Sequence, residues 1–483
     1  MLFNSYIFIL LFIPLCLLGY FTLNKIGMLW ANLFLLGMSL WFYGYFNPSY
    51  LLIILSSIAV NYLAGVLIGQ WKDTGRKKTV LILAICINLG LLFYYKYMDF
   101  FLSGVNALFR TDIGYLNIVL PLGISFFTFQ QISYVVDVYR GETTACALIP
   151  YACYVSFFPQ LVAGPIVSHQ EFLPDFLDPE KRKPDYDNLL TGVRIFSMGL
   201  AKKVLIADVF GKAADLGYDN AAWSNSFTIL FTVLAYAIQL YFDFSGYSDM
   251  AIGLGRMFNI EIPVNFRSPY QAVSITDFWD RWHITLTRFF TRYVYIPLGG
   301  SRKGKARTYV NILIVFLLSG LWHGASLTFV FWGLCHGILL VLNRMFQKVW
   351  DKVPGLAARA VTFVTISLLW IFFRSPDFNT AFLMFSKIFR GGGGWLPGYI
   401  TECFAIPEIA FLFYGRSMDV LVGQVLTAGF TILALGILFF AKNNEEYTIK
   451  RKNTAANAFA AAFLLIWCIF SFEKVSAFLY FNF

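Results

Sequence analysis

The sequence predicts an all-α polytopic membrane protein, and three observations carry that prediction. Only 13% of the residues are charged, while 58% are hydrophobic; a soluble globular chain is about a quarter charged. Mean hydropathy is +0.66. Apolar runs of membrane-crossing length recur along the 483 residues, separated by short loops that carry the Lys and Arg. The same pattern sets aside nucleic acid as a partner. The net charge of +10 comes from those loops and not from one basic tract. The seven cysteines are scattered, mostly within apolar runs, and no pair has metal-ligand spacing. They read as small buried hydrophobes.

Taken in order, residues 2–20, 26–46, 50–70 and 80–97 each supply the roughly 20 residues a bilayer core requires. The first lacks a basic leader and a small-residue cleavage site, so it reads as a membrane helix. The loop 71–78, WKDTGRKK, holds four basic residues against one acid, which places it in the cytoplasm and the N-terminus outside. Between 100 and 140, Pro121, Gly123 and the aromatic run from Phe126 predict a broken or shallow helix. Pro159 and Pro165 break the next segment twice. Irregular backbone at membrane depth is tolerated only where protein buries it or a cavity is lined by it. Residues 171–188 read as a polar surface linker, and 188–216 as an amphipathic interfacial segment carrying Arg194, Lys202 and Lys203. Residues 226–244, 307–321, 327–341, 360–373, 420–440 and 455–469 complete roughly ten to twelve spans. The glycine run 391–394 is a flexible loop, and a charged loop occupies 442–453. The whole chain, 1–483, reads as a single integral membrane domain with no internal repeat.

One stretch departs from the greasy background. Between Tyr241 and His323, carboxylates, arginines, glycines and two of the four histidines crowd between apolar segments. Polar groups at membrane depth are costly and therefore point to function. His283 sits in FWDRWHITLT. If that stretch is one continuous helix, Trp279 and Asp280 share its face, and the carboxylate can fix the imidazole's tautomer. His323 sits in LSGLWHGA, where Gly320 and Gly324 permit close approach. A neutral imidazole there can act as a general base toward a hydroxyl or thiol, or simply bond a helix-end carbonyl. Arg288 and the loop Arg302, Lys303, Lys305 and Arg307 serve topology, phosphate recognition, or both. Asp243 and Asp249 read as buried acids, paired to arginine or lining a cavity. No residues have the spacing of a metal site, a nucleophile elbow or a nucleotide fingerprint.

YFDFSGYSDMAIGLGRMFNI, PVNFRSPY, FWDRWHITLTRFF, YIPLGGSR and LSGLWHGA occur here in that order. Together with SFFTFQQISYVVDVYRG, FFPQLVAGPI and WIFFRSPDF, they resemble the membrane-bound O-acyltransferase (MBOAT) superfamily, most of all its alginate O-acetyltransferase membrane-subunit branch. The resemblance covers about residues 90–380. It implies a helical bundle around a membrane-crossing tunnel. It implies His323 as the catalytic histidine and His283 as the second active-site residue. Trp279, Asp280, Trp282, Arg288, Arg302 and Lys303 become candidates for substrate binding, with the Trp282 indole or His283 supporting an oxyanion or positioning the donor. The donor would be acetyl-CoA, a substrate and not a bound cofactor, reaching the cytoplasmic side of a bacterial inner membrane. The acceptor would be an extracytoplasmic polysaccharide, reached through an SGNH-type acetyltransferase partner. Alginate, cellulose, another exopolysaccharide, peptidoglycan and, more distantly, teichoic acid stay open as acceptors. A transporter, or a scaffold subunit of a polysaccharide secretion complex, is the competing expectation; the lack of a two-half repeat counts against transport.

Overall fold

The computed structural model describes residues 1–405, 420–449, 452–472, 478 and 479. Lys450 and Arg451 of the charged loop predicted at 442–453 lie outside those residues. The described residues are helical with irregular connections, and among them the only β pairing is one isolated bridge, Phe266 with Trp282. Seven of the described helices are long and apolar enough to cross a membrane, and three shorter apolar helices accompany them. The chain is a multi-pass membrane protein.

The chain forms two compact units. The first comprises the described residues of Met1–Phe196, Ser248–Val264 and Arg451–Ala461. Its helices are α1 (Phe8–Asn24), α2 (Met28–Gly44), α3 (Ser49–Gln70), α4 (Thr74–Phe109), α5 (Ile124–Arg140), α6 (Leu148–Ser156), α7 (Phe158–Leu161) and α8 (His169–Leu177). Asp73 starts α4 by accepting the backbone N–H of Gly75 at 2.7 Å, satisfying donors that a helix start leaves open. Helix α5 begins at Gly123, whose φ of +71° suits glycine. It is buried on nearly every side. The break predicted at Pro159 falls at Phe157, between α6 and α7.

Polar pairs tie these apolar helices together. Asn61 and Asn88 exchange side-chain hydrogen bonds of 3.1 and 2.6 Å. Gln131 donates to Ser57 at 2.8 Å and accepts from the Tyr151 hydroxyl at 3.1 Å. Side-chain hydrogen bonds of this kind join helices across a membrane interior, each worth about 0.6 kcal/mol on average. One expectation fails here. The first part of the stretch from residue 171 is not a surface linker: Ser168 and Glu171 form a capping box, and α8 buries Phe172 and Phe176, whereas most of residues 178–188 are exposed as expected. The periodic aromatic pair outweighed the polar composition.

The second unit comprises the described residues of Ser197–Tyr247, Asn265–Lys450 and Ala462–Phe483. Its elements include α9 (Asp208–Asp219), the first two-thirds of α10 (Ser226–Met257), two short helices α11 (Ile275–Arg281) and α12 (Ile284–Phe290), and then α13 (Lys305–His323), α14 (Leu327–Met345), α15 (Gly355–Arg374), α16 (Phe378–Arg390) and α17 (Val420–Phe440). Helices α13 and α14 are joined by residues 324–326 and pack along their length. Gly320 and Gly333 permit this. A Cβ at Gly320 would strike the Phe329 carbonyl oxygen, and one at Gly333 would strike that of Phe316.

Candidate active site

The candidate site lies wholly in the second unit, and its local geometry starts with Asn265. The chain from Asn265 to Arg267 runs antiparallel to Arg281–Ile284. Arg267 N–H donates to the Arg281 carbonyl at 3.0 Å, and Ile284 N–H to the Asn265 carbonyl at 3.0 Å. To make that pairing, Trp282 is extended (φ −100°, ψ 128°) and helix α11 stops at Arg281. His283 then takes a left-handed conformation (φ 47°, ψ 50°) and serves as the cap residue of α12. A non-glycine residue held there is uncommon and costs strain that the surroundings must repay.

The Asn265 side chain repays part of it. Its Oδ1 accepts from the Thr285 backbone N–H (3.1 Å), the Thr285 hydroxyl (2.9 Å) and His283 Nδ1 (3.3 Å). A backbone N–H can only donate, so it fixes which end of the amide is oxygen. His283 Nδ1 must therefore carry the hydrogen, leaving the lone pair on Nε2. The ring is fully buried, and burial pushes the imidazole down to about 3. It is neutral at physiological pH.

This corrects two sequence expectations. Asp280 does not share a helix face with His283, because the helix ends between them; its side chain is exposed and Asn265 sets the tautomer instead. The tautomer also makes His283 a proton acceptor at Nε2, not a donor to an oxyanion.

His323 ends α13 and is 2% exposed. Its ring centroid lies 6.4 Å from that of His283, although the two residues are forty positions apart. Trp322 packs against both imidazoles, at 5.0 Å from His323 and 5.9 Å from His283. Trp332 and Phe373 close on His323 edge-on at 5.2 Å each. Trp282 is buried against Phe278, Phe266 and Trp370. Trp279 is buried too, and its indole N–H donates to Nδ1 of His336 at 3.3 Å. Arg288, Arg302 and Lys303 are exposed. Among the described residues no three His, Cys, Asp or Glu side chains cluster as a metal site.

Asp243 and Asp249 are buried, as expected, at 1% and 4% exposure. The partner of Asp243 is a lysine and not an arginine. Lys203 Nζ lies 2.6 Å from Asp243 and 2.8 Å from Asp208. The other Asp243 oxygen accepts the Leu479 N–H at 2.9 Å. Next to it, Phe478 stacks on Tyr247 at 4.6 Å and meets Phe244 at 5.5 Å, and Phe244 in turn sets its edge against His283 at 4.8 Å. Sequence reasoning missed Asn265, His336 and Phe478. Only Asn265 left a trace, as a polar residue between Val264 and Phe266 in the PVNF run.

Replacing Asn265 by Ala should leave the chain in the membrane and lower acyl transfer by ~10- to 100-fold, the scale on which a misplaced reacting group costs rate. Asn265→Asp, which keeps the acceptor oxygen, should recover more activity than Ala. Equal losses in the two variants would show that the acceptor does not orient His283.

A multi-pass helical membrane protein with two buried histidines set among aromatic rings defines the class. The comparisons make it specific. The model of MBOAT, the membrane-bound O-acyltransferase family, matches residues 142–375. The chain is 40% identical to the peptidoglycan O-acetyltransferase of Helicobacter pylori, across 100% of this chain and 98% of that one. It is 38% identical to the probable alginate O-acetylase AlgI of Pseudomonas aeruginosa, across 81% of this chain and 75% of that one. The teichoic acid D-alanyltransferase of Bacillus subtilis is 27% identical over 49% of this chain and 62% of its own. The chain belongs to the membrane-bound O-acyltransferase family, and it is an O-acyltransferase.

Proposed function

We propose that the chain moves acetyl groups from acetyl-CoA on the cytoplasmic side of a bacterial inner membrane to a polysaccharide outside it, passing them to an SGNH-type acetyltransferase partner. The observation that carries this reading is the pair of buried imidazoles, His283 and His323, with ring centroids 6.4 Å apart. Ester formation from a thioester requires a hydroxyl to lose its proton while a carbon–sulfur bond breaks and a carbon–oxygen bond forms. A neutral imidazole supplies the base, and the same ring returns the proton to the departing thiolate. His323 takes this role, with His283, held by Asn265, as its companion acceptor. The aromatic surround keeps water from competing as acceptor.

The acetyl group and the glycan acceptor are read from the relatives, two of which are named as O-acetyl-transferring enzymes. We place peptidoglycan ahead of alginate, because the peptidoglycan relative aligns with the whole chain. The basic loop 71–78 supports a cytoplasmic position for that loop and, with it, an N-terminus outside. The exposed Arg302 and Lys303 suit the phosphates of the arriving donor.

The test is direct. Membranes holding the chain and the partner are given acetyl-CoA labelled in its acetyl group, and the glycan is analysed by mass spectrometry. Ester-linked label should appear only when both proteins are present. Label that appears without this chain would overturn the reading. Normal acetylation with failed polymer export in cells lacking the chain would establish transport instead.

A further inference from the structure

His336 and Trp332 lie one helical turn apart on α14, and neither belongs to the base-and-acceptor chemistry above. Both side chains are fully buried, with ring centroids 4.7 Å apart. Trp332 in turn meets His323 at 5.2 Å. The tautomer of His336 follows from its partner. The Trp279 indole N–H can only donate, and it donates to His336 Nδ1 at 3.3 Å. Nδ1 therefore bears the lone pair, the ring is neutral, and Nε2 carries the hydrogen.

That leaves two N–H donors on one face of one helix, His336 Nε2 and Trp332 Nε1. Both atoms are buried and have no hydrogen-bond acceptor among the described residues. An unmet buried donor is destabilising, and native proteins keep few of them without a use. Their surroundings say what kind of group they suit. Trp279, Phe316, Trp370 and Phe373 enclose the pair. With donors only, no cation is wanted. With aromatic walls and no charged group against either ring among the described residues, a permanent anion would be poorly served. A neutral acceptor oxygen that gains charge only during reaction matches best, which is to say a carbonyl.

We propose that Trp332 Nε1–H and His336 Nε2–H form a donor-only subsite that takes a carbonyl oxygen of the acyl donor beside His323. The subsite rests on the acetyl-CoA reading, and it fills the role that the tautomer of His283 denies to that residue.

The experiment compares two unreactive analogues binding to the purified full-length chain in detergent. One is a ketone analogue of acetyl-CoA, with CH2 between sulfur and carbonyl. The other is S-ethyl-CoA, which lacks the carbonyl oxygen. Wild type should prefer the ketone by about three- to tenfold, the worth of a neutral hydrogen bond. Trp332→Phe and His336→Asn keep the packing or the Nδ1-side acceptor but remove the donor. Each should erase most of that preference while binding S-ethyl-CoA as wild type does. His336→Gln, which can restore an N–H near the Nε2 position, should regain part of it. Equal weakening of both analogues, or a preference left intact, would overturn the subsite while leaving the acetyl-CoA reading standing. Failure of wild type to bind either analogue would overturn the donor reading, and the subsite with it.

Discussion

Changing His323 to Ala should abolish acyl transfer, lowering the rate by ~10³-fold or more, within the range that general bases contribute. His323 is the one imidazole that touches the Trp322 indole on one side and the Trp332–Phe373 wall on the other, at ring distances of 5.0 to 5.2 Å. It also closes α13 where the chain turns into α14, so its backbone is held by two packed helices. Truncation leaves a void in an aromatic cluster, and some loss of stability is expected. His323→Asn separates the two effects, because it retains polarity and part of the volume. Both variants should accumulate in the membrane, measured by immunoblot after solubilisation, and both should fail to transfer labelled acyl groups. Transfer retained in His323→Asn would remove His323 from the chemistry and leave His283 as the base.

The two histidines were legible because each sits in a run of unusual composition, WDRWHITLT and SGLWHGA, inside an apolar chain. The long helices were legible for the same reason: apolar length is a local property, and the span read at 420–440 is helical over Val420–Phe440. What sequence could not supply is anything set by residues far apart in the chain. Asp280 looked like the orienting group for His283 because spacing on an assumed helix placed it there. The bridge between Phe266 and Trp282 ends that helix first, and only the folded chain shows the bridge. His336 was missed because its partner Trp279 lies 57 positions away in the chain. Residues 171–177 were misread by the opposite error, since composition was weighed over the spacing of Phe172 and Phe176.

The second large effect concerns stability. Lys203→Met should destabilise the chain by ~3–5 kcal/mol, the cost of removing one partner from a buried ion pair. Lys203 and Asp243 have side-chain exposures of 6% and 2%, while Asp208, at 22%, keeps some contact with solvent. Without the ammonium, the Asp243 carboxylate is left buried beside a second acid, a worse state than the loss of one attraction. The physical test is a double substitution. Lys203→Met with Asp243→Leu removes both charges, and replacing a buried pair by apolar groups is often neutral. The double variant should therefore regain most of the stability lost by the single one, read from unfolding in denaturant-titrated detergent. Its activity should not recover in step. Asp243 also accepts the Leu479 N–H, and Leu479 follows the Phe478 ring that stacks on Tyr247 and packs against Phe244, beside His283. A double variant that is stable but slow would assign Asp243 two separable duties, charge neutralisation toward Lys203 and anchorage of Phe478 behind the imidazole. A double variant as active as wild type would show that the anchorage has no bearing on transfer.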